Sequence, residues 1–244
     1  MSFTLSEVVP WGRSFDEYVA MFSLSPAELK QKILGCGDGP ASFNSTLSSL
    51  GGSIVSVDPV YAFSAAEIKN RITETYELVL EQTRQNQDEF LWNTISSVEE
   101  LGRIRLSAMT AFLQDFERGK AEGRYRAGTL PHLPFADQEF GIALCSHFLF
   151  LYSKQLSEEF HFAAIKELSR VAFEVRIFPL LELGSKISRH LKSVIALLAK
   201  GHYHIELKKV PYQFQKGGNE MLVVRSPANC MSVPPRLLLH QDGK

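Results

Sequence analysis

The chain has 244 residues, of which 45% are hydrophobic and 22% are charged, a composition typical of a soluble globular protein with a sizeable core. Its 26 Lys and Arg residues against 27 Asp and Glu give a net charge of -1, which argues against a polyanion-binding surface and disfavours nucleic acid as a partner. No apolar run approaches the roughly 20 residues of a membrane span, and the N-terminus lacks a secretion-signal pattern, so we expect a cytoplasmic protein with no membrane partner.

The cysteine and histidine spacings give no metal-binding pattern. Cys36, Cys145 and Cys230 are scattered and form no C-x-x-C pair, so we expect reduced thiols. His202 and His204 have no third ligand at metal spacing. The sequence therefore predicts no metal site.

Apolar runs with strand character alternate with helical patterns along the chain. We predict helices at 14–22, 41–50, 64–87, 96–118 and 184–200, and capping boxes begin at Ser14, Ser25 and Ser64. The predicted strands are 32–34, 53–57, 124–127, 140–146 and 172–178, followed by a terminal antiparallel pair at 204–210 and 220–225. This alternation predicts an α/β fold with a doubly wound, mostly parallel Rossmann-like sheet of about seven strands.

The predicted elements form one domain over residues 1–225, with an N-terminal helical segment at 1–31. Two long amphipathic helices, spanning 64–118, lie between the second and third strands, where a plain doubly wound fold needs one helix. We interpret this insertion as a lid over the ligand cleft, and an oligomer surface is the alternative. The tail at 226–244 contains three prolines and little periodicity, so we expect it to be poorly ordered.

A glycine-rich loop follows the first strand, in the sequence KILGCGDGP at 32–40. Gly35, Gly37 and Gly39 allow the backbone to turn and to approach a ligand closely. A dinucleotide fingerprint would need glycine in place of Pro40, and a phosphate loop would need a Gly-Lys-Ser/Thr ending that is absent. The loop is either a ligand-binding turn or a tight strand-to-helix connection without a ligand.

The second strand ends at Asp58, about 20 residues beyond the glycine loop, where an acid can accept hydrogen bonds from both hydroxyls of a ribose. Taken alone, Asp58 is equally consistent with a cap or turn before Pro59. The combination with the glycine loop favours the ribose interpretation.

The fourth strand follows the sequence LPFADQEF at 133–140 and ends in Cys145, Ser146, His147 and Phe148. Because ligands of doubly wound folds bind at the carboxyl ends of the strands, His147 is placed to accept a proton from a substrate. The alternative is a structural, hydrogen-bonded histidine. Cys145 is predicted to be a buried strand thiol and not a nucleophile.

Several other side chains are candidates for substrate contact. Phe148 and Tyr152 could wall an apolar pocket, although aromatic residues beside a sheet are more often core. Arg13 and Arg176 could each hold a carboxylate or phosphate, and a salt bridge is the favoured alternative for both. Tyr18, on the first helix, completes this set.

The glycine loop, the acid closing the second strand and the LPFADQEF segment occur in the same order as in class I S-adenosylmethionine-dependent methyltransferases, which the chain resembles over about 25–225. The insertion and the start VPWGR at 9–13 look like an uncharacterised bacterial subgroup. The chain departs from the superfamily pattern where two acids are usual, since Ile33 precedes the first glycine and Thr129 follows the third strand. Gly141 stands where the superfamily commonly has an aspartate after the phenylalanine that opens the fourth strand, a position that is mainly structural.

The resemblance implies methyl transfer from S-adenosylmethionine to a small-molecule acceptor, with S-adenosylhomocysteine as product. It places the cofactor on ten residues: Gly35, Cys36, Gly37, Asp38, Gly39, Asp58, Pro59, Thr129, Leu130 and Ser146. His147 is then the candidate general base. Two alternatives stay open, a non-catalytic cofactor-binding or partner-docking module and an RNA methyltransferase. An enzyme that methylates base amino groups is disfavoured, because its Asn/Asp-Pro-Pro-Tyr/Phe motif is absent after the fourth strand.

Overall fold

A computed structural model describes residues 9–227, in which helices flank a central sheet. The strands are β1 (Lys32–Cys36), β2 (Ser53–Val57), β3 (Tyr125–Arg126), β4 (Phe140–Ser146), β5 (Ala172–Phe178), β6 (Leu181–Glu182), β7 (Lys186–Ile187), β8 (His204–Lys209) and β9 (Glu220–Arg225). The α-helices are α1 (Phe15–Met21), α2 (Phe43–Ser49), α3 (Ala65–Gln85), α4 (Val98–Ala121), α5 (Glu158–Val171) and α6 (Leu191–Lys200).

Seven strands form the main sheet in the order β3-β2-β1-β4-β5-β9-β8, and β6 and β7 form a separate two-stranded ribbon. The strands from β3 to β5 are parallel to one another, whereas β9 runs antiparallel to both β5 and β8. The order reverses between β1 and β4, which is the position at which a doubly wound sheet opens a ligand crevice. The predicted fold class is confirmed.

The two faces of the sheet carry separate hydrophobic cores because successive strand residues point to opposite sides. Ile33 packs with Tyr18 and Phe43 on the face covered by α1 and α2. Leu34 packs on the other face with residues of α5 and α6, among them Leu168 and Leu198. Helices therefore cover both faces of the sheet. The carboxyl ends of the parallel strands lie at one edge.

Serine caps fix where several helices begin. Ser14 and Ser64 each accept a hydrogen bond from the backbone three residues on, and Glu17 and Glu67 complete the two capping boxes. Ser25 forms the same reciprocal hydrogen bonds with Glu28, but only a 3-10 turn at Glu28–Lys30 follows. The chain enters β1 at Lys32, so no room is left there for the helix that the capping box predicts.

The helical insertion between β2 and β3 consists of α3 and α4, which pack against each other. Their apolar faces join Tyr61 and Tyr125 in an aromatic cluster that includes Phe112 and Phe116. The insertion thus has its own small core at the edge of the sheet, beside the carboxyl ends of β2 and β3.

One predicted helix is partly wrong. The segment 184–200 was expected to be helical throughout, but its first residues belong to the β6–β7 ribbon and the helix begins only at Leu191. Gly184 and Ser185 have positive φ, a conformation that a helix interior does not allow, and they turn the ribbon. The predicted tail at 226–244, apart from its first two residues, and Cys230 lie outside the described residues.

Candidate functional site

A cavity of about 440 Å³ lies at the carboxyl edge of the parallel strands. Its wall includes the loops that follow β1, β2, β3 and β4, the segment 9–13 and residues of α3 and α4. The structure brings together twelve residues proposed from the sequence: Arg13, Cys36, Gly37, Asp38, Gly39, Asp58, Pro59, Thr129, Leu130, His147, Phe148 and Tyr152. A volume of this size is typical of a small-molecule site.

The glycine loop has its shape because two glycines lack side chains. A Cβ on Gly35 would lie 1.8 Å from Asp38 Oδ2, so the aspartate can fold back over the strand only because position 35 is glycine. Gly37 has a φ of 71°, and a Cβ there would lie 2.9 Å from Phe148 Cβ. The loop is therefore packed tightly between β1 and the segment after β4.

Asp38 is a buried carboxylate held by neutral donors. Tyr18 donates its hydroxyl to Asp38 Oδ1 at 2.8 Å, and Ser56 donates to Oδ2 at 2.7 Å. Burial raises the pKa of Asp38 to about 6 despite these hydrogen bonds. Among residues 9–227 no cation pairs with it, so a positively charged ligand would find an uncompensated carboxylate here.

Asp58 connects the loop after β2 to the glycine loop after β1, the two segments that the sequence analysis assigned to one nucleoside ligand. Its Oδ2 accepts the N–H of Gly39 at 2.9 Å, and its Oδ1 accepts the N–H of Val60 at 2.8 Å. Asp58 is thus the cap of the 3-10 turn Pro59–Ala62, and it also lines the cavity. Each carboxylate oxygen has a second lone pair, so the cap and a ligand contact are compatible. Burial raises the pKa of Asp58 even though both N–H donors oppose the shift.

His147 stands in an uncommon backbone conformation at the cavity wall, with a φ of 51°. Its N–H donates to the Phe178 carbonyl at 2.7 Å, and its Nδ1 lies 2.9 Å from Ser146 Oγ. Burial, then the charges of Arg13 and Arg105, lower the pKa of His147 well below its usual value. The imidazole is therefore neutral at physiological pH.

Four residues proposed from the sequence do not line the cavity. Gly35 and Ser146 are buried and do not line the cavity, and Tyr18 contacts a lining residue through its hydrogen bond to Asp38. Arg176 is buried in a network with Glu174 at 2.6 Å, with Glu28 and with the Phe22 carbonyl at 2.7 Å. These contacts support the salt bridge that the sequence analysis favoured for Arg176.

The cavity also contains residues that sequence reasoning missed. Arg105, on α4, is only 1% exposed and donates to Glu17 Oε2 at 2.5 Å. Tyr212, in the loop between β8 and β9, donates to Glu17 Oε1 at 2.9 Å. Arg105 could have been found, because it falls on the apolar face of α4 at helical spacing from Leu101, a position where a charge needs a partner. Tyr212 lies in a loop with no pattern that marks it.

The insertion helices form part of the wall, through Arg71, Val79 and Thr83 of α3 and Leu101 and Arg105 of α4.

In the part of the chain that the structure describes, no helix is both long and apolar enough to cross a bilayer. Residues 9–227 also hold no cluster of three or more His, Cys, Asp or Glu side chains that could bind a metal ion.

The chain is similar in structure to a magnesium protoporphyrin IX methyltransferase (ChlM) from Synechocystis PCC 6803 with bound SAM, at 14% identity and a TM-score of 0.44, over 87% of this chain and 78% of that chain. It is also similar to a TehB-like SAM-dependent methyltransferase from Corynebacterium glutamicum, at 14% identity and a TM-score of 0.44, over 86% of each chain. At these scores the likeness says nothing about individual site residues.

No protein-family model matches the chain. The sequence is 34% identical over 222 residues to the uncharacterized protein MJ0045 of Methanocaldococcus jannaschii, which covers 91% of this chain and 97% of that protein. This relative is archaeal, so the bacterial subgroup suggested by the sequence stays a prediction. The identity and the nearly complete coverage of both chains show that this protein belongs to the same family as MJ0045.

Proposed function

We propose that this protein is an S-adenosylmethionine-dependent methyltransferase that acts on a small-molecule acceptor. The observation that carries the proposal is the position of the cavity at the strand-order reversal, where the glycine loop after β1 and the acid after β2 meet. A nucleoside ligand is bound at this position in doubly wound folds. The motif order found in the sequence supports the same ligand.

The residues present fit the cofactor. Asp58 is available to the ribose hydroxyls, and Thr129 and Leu130 are available to the adenine through backbone groups and apolar packing. Asp38 supplies a carboxylate close to the glycine loop, where Ile33 offers none. Because Asp38 is buried without a cation partner, a ligand with positive charge at its methionine end would relieve the cost of that burial.

When bound, the sulfonium supplies a methyl group that is already activated for displacement. The protein therefore has mainly to hold the acceptor atom in line with the methyl carbon and the sulfur. As the acceptor forms its bond to carbon and the carbon–sulfur bond breaks, a hydroxyl or amine acceptor must lose a proton. A neutral His147 on the cavity wall is placed to take it, if its Nδ1–H donates to Ser146 Oγ and leaves Nε2 free.

The volume of the cavity, about 440 Å³, and the residues in its wall favour a small acceptor. Helices α3 and α4 and the segment 9–13 all contribute to its wall, in addition to the loops at the edge of the sheet. Phe148, Tyr152 and Phe178 give the wall an apolar character on the side of His147. These features suit a compact, partly apolar molecule better than a polymer.

Methyl transfer is tested by incubating the protein with S-adenosylmethionine labelled on the methyl group and a library of small hydroxyl, amine and carboxyl compounds. Formation of S-adenosylhomocysteine that depends on one class of compound would support the proposal. Tight binding of S-adenosylmethionine with no turnover in any class would favour a binding module instead. A library of RNA fragments in a parallel assay distinguishes the RNA methyltransferase alternative.

A further inference from the structure

One corner of the cavity contains two arginines but only one carboxylate. Arg105 pairs with Glu17, and Glu17 also accepts the N–H of Ser14 at 2.9 Å and the hydroxyl of Tyr212 at 2.9 Å. Both oxygens of Glu17 are therefore committed. Arg13 donates Nη1 only to the Trp11 carbonyl, and it has no ion pair among the described residues.

The guanidinium groups of this corner have unused donors. The Nε atoms of Arg13 and Arg105 are buried and have no hydrogen-bond partner within residues 9–227. Such groups are costly to bury, because each has lost its water without gaining an acceptor. Burial, then the charge of Arg105, lowers the pKa of Arg13 to about 10, which is still high enough for the group to be charged at neutral pH.

The unpaired charge faces the cavity, because Arg13, Arg105 and Tyr212 all lie in its wall. Two cations against the one anion of Glu17 leave a single positive charge at this corner. A monoanion would balance it, whereas a phosphate would bring up to two negative charges. A guanidinium and a carboxylate also match in geometry, since the planar fork can bind both oxygens.

We propose that the corner formed by Arg13, Arg105 and Tyr212 is a binding site for a ligand carboxylate. This inference rests on the proposed function, which offers two sources for the carboxylate: the amino-acid end of the cofactor, or the methyl acceptor. Either source brings the same chemistry to the same guanidinium groups.

The test compares Arg13→Gln and Arg13→Lys with a control, Arg103→Gln, by calorimetry at neutral pH. Arg13 is the residue to change because it holds no ion pair, whereas loss of Arg105 would leave Glu17 buried and unpaired. Arg103 lies on the same helix as Arg105, but its side chain is 73% exposed, so the control removes the same charge outside the cavity. Thermal unfolding of each variant verifies that it is folded.

Three probes separate the two sources. S-adenosylhomocysteine has the amino-acid carboxylate, and 5′-methylthioadenosine lacks it. Benzoate, a carboxylate with an apolar ring suited to Phe178 and Trp11, is titrated into protein saturated with S-adenosylhomocysteine.

If the carboxylate belongs to the cofactor, Arg13→Gln weakens S-adenosylhomocysteine by about ten-fold or more, leaves 5′-methylthioadenosine unchanged and is partly rescued by Arg13→Lys. If it belongs to the acceptor, both nucleosides bind unchanged, and benzoate binds the saturated wild type but not the saturated Arg13→Gln variant. The proposal is overturned if Arg13→Gln weakens both nucleosides equally, or if it alters neither nucleoside affinity nor benzoate binding.

Failure of the proposed function has a different signature, in which the wild type binds neither nucleoside. Benzoate titrated into the free protein then tests the corner by itself. Binding that Arg13→Gln abolishes and Arg103→Gln preserves would keep the carboxylate site, and equal binding by all three proteins would remove it.

Discussion

Asp58 has two roles at once, as the cap of a short turn and as a wall of the cavity. Its two oxygens hold the N–H groups of Gly39 and Val60, so the carboxylate sets the position of the glycine loop relative to the end of β2. The sequence suggested the cap and the ribose contact as alternatives. Since each oxygen can accept a second hydrogen bond, the geometry accommodates both.

We expect Asp58→Ala to weaken S-adenosylmethionine by at least about ten-fold in calorimetry, the loss that corresponds to a charged hydrogen bond of about 1.5–3 kcal/mol. The same variant loses a cap, so its free energy of unfolding should fall by about 1 kcal/mol. Ser157→Ala is the matched control, because Ser157 caps α5 away from the cavity. If the two variants bind the cofactor equally well, Asp58 does not contact it.

His147→Asn should slow methyl transfer by roughly 100-fold and leave the affinity for S-adenosylmethionine unchanged, because the variant loses only the proton acceptor. Asparagine tolerates the left-handed backbone that position 147 adopts, so the fold should persist. His204→Asn, on the exposed strand β8, is the control. A His147→Asn protein that is destabilised but turns over at the wild-type rate would make His147 a structural residue.

The depressed pKa of His147 also has a kinetic consequence. The imidazole should remain unprotonated as the pH falls through 6.5, so the rate with saturating cofactor should not drop there as it would for an exposed histidine base. The rate of the wild type measured at several pH values between about pH 8 and pH 5 tests this directly. A titration near the ordinary histidine value would contradict the lowered pKa of His147 or show that another group accepts the proton.

Asp38 predicts a pH dependence of opposite sign for binding and for stability. Its folded-state pKa of about 6 lies above the ordinary value of 3.8, so protonation below pH 6 stabilises the free protein, and that stability is lost as the pH rises through 6. A cationic ligand needs the charged form, so its affinity should fall by about ten-fold between pH 7 and pH 5. Asp38→Asn should abolish both effects, and an unchanged pH dependence of S-adenosylmethionine binding in that variant would contradict the assignment.

Among single residues, the sequence identified the loop residues of the cavity and Arg13, but it missed Arg105 and Tyr212. Gly37, Asp38 and Asp58 follow strands, and the ends of parallel strands meet at one edge by topology alone. Arg105 could have been found from its position on the apolar face of α4, whereas Tyr212 comes from a loop that no local pattern marks. For Arg176 the sequence favoured a salt bridge over a ligand contact, and Glu174 and Glu28 are its partners.

Among the elements, we propose that the insertion made of α3 and α4 gates the cavity. Both helices contribute to its wall, and their outer faces carry charged residues. Helices that border a ligand in this way commonly move when it binds or leaves. The segment 9–13, which crosses the same cavity, shares this position.

Hydrogen exchange tests the gating directly. With S-adenosylmethionine bound, we expect amides of α3 and α4 to exchange more slowly, because the ligand restrains the open state. Amides of α5 and α6, on one covered face of the sheet, serve as the internal reference. Identical exchange of α3 and α4 with and without ligand would favour a fixed structural extension or an oligomer surface.

The sequence predicted the strands better than the helices after β5. Strands β2, β4, β5 and β9 have the predicted bounds, because each is a short apolar or alternating run bounded by turn residues. The prediction of a helix over all of 184–200 was wrong, because strands of two residues, such as β6 and β7, are too short to give a periodic pattern. The capping box at Ser25 predicted a helix, but only a 3-10 turn follows it. Local hydrogen bonds do not reveal how soon the next strand begins.

The molecule as a whole combines a doubly wound sheet, a cavity at its order reversal, and two charges of opposite sign in the wall of that cavity that would suit a ligand with both signs. Asp38 lacks a cation and Arg13 lacks an anion among the described residues, and both line this cavity. A zwitterionic ligand would satisfy both and stabilise the folded chain in proportion to its affinity. The same family membership as MJ0045 extends the proposal to that protein.

Calorimetric titration of the full chain with S-adenosylmethionine shows whether this cavity binds the ligand. We expect one site per chain with a dissociation constant on the order of micromolar, about −8 kcal/mol of binding free energy. S-adenosylhomocysteine should compete for the same site. Absence of binding heat at several temperatures, with no rise in the unfolding midpoint at millimolar ligand, would contradict the account.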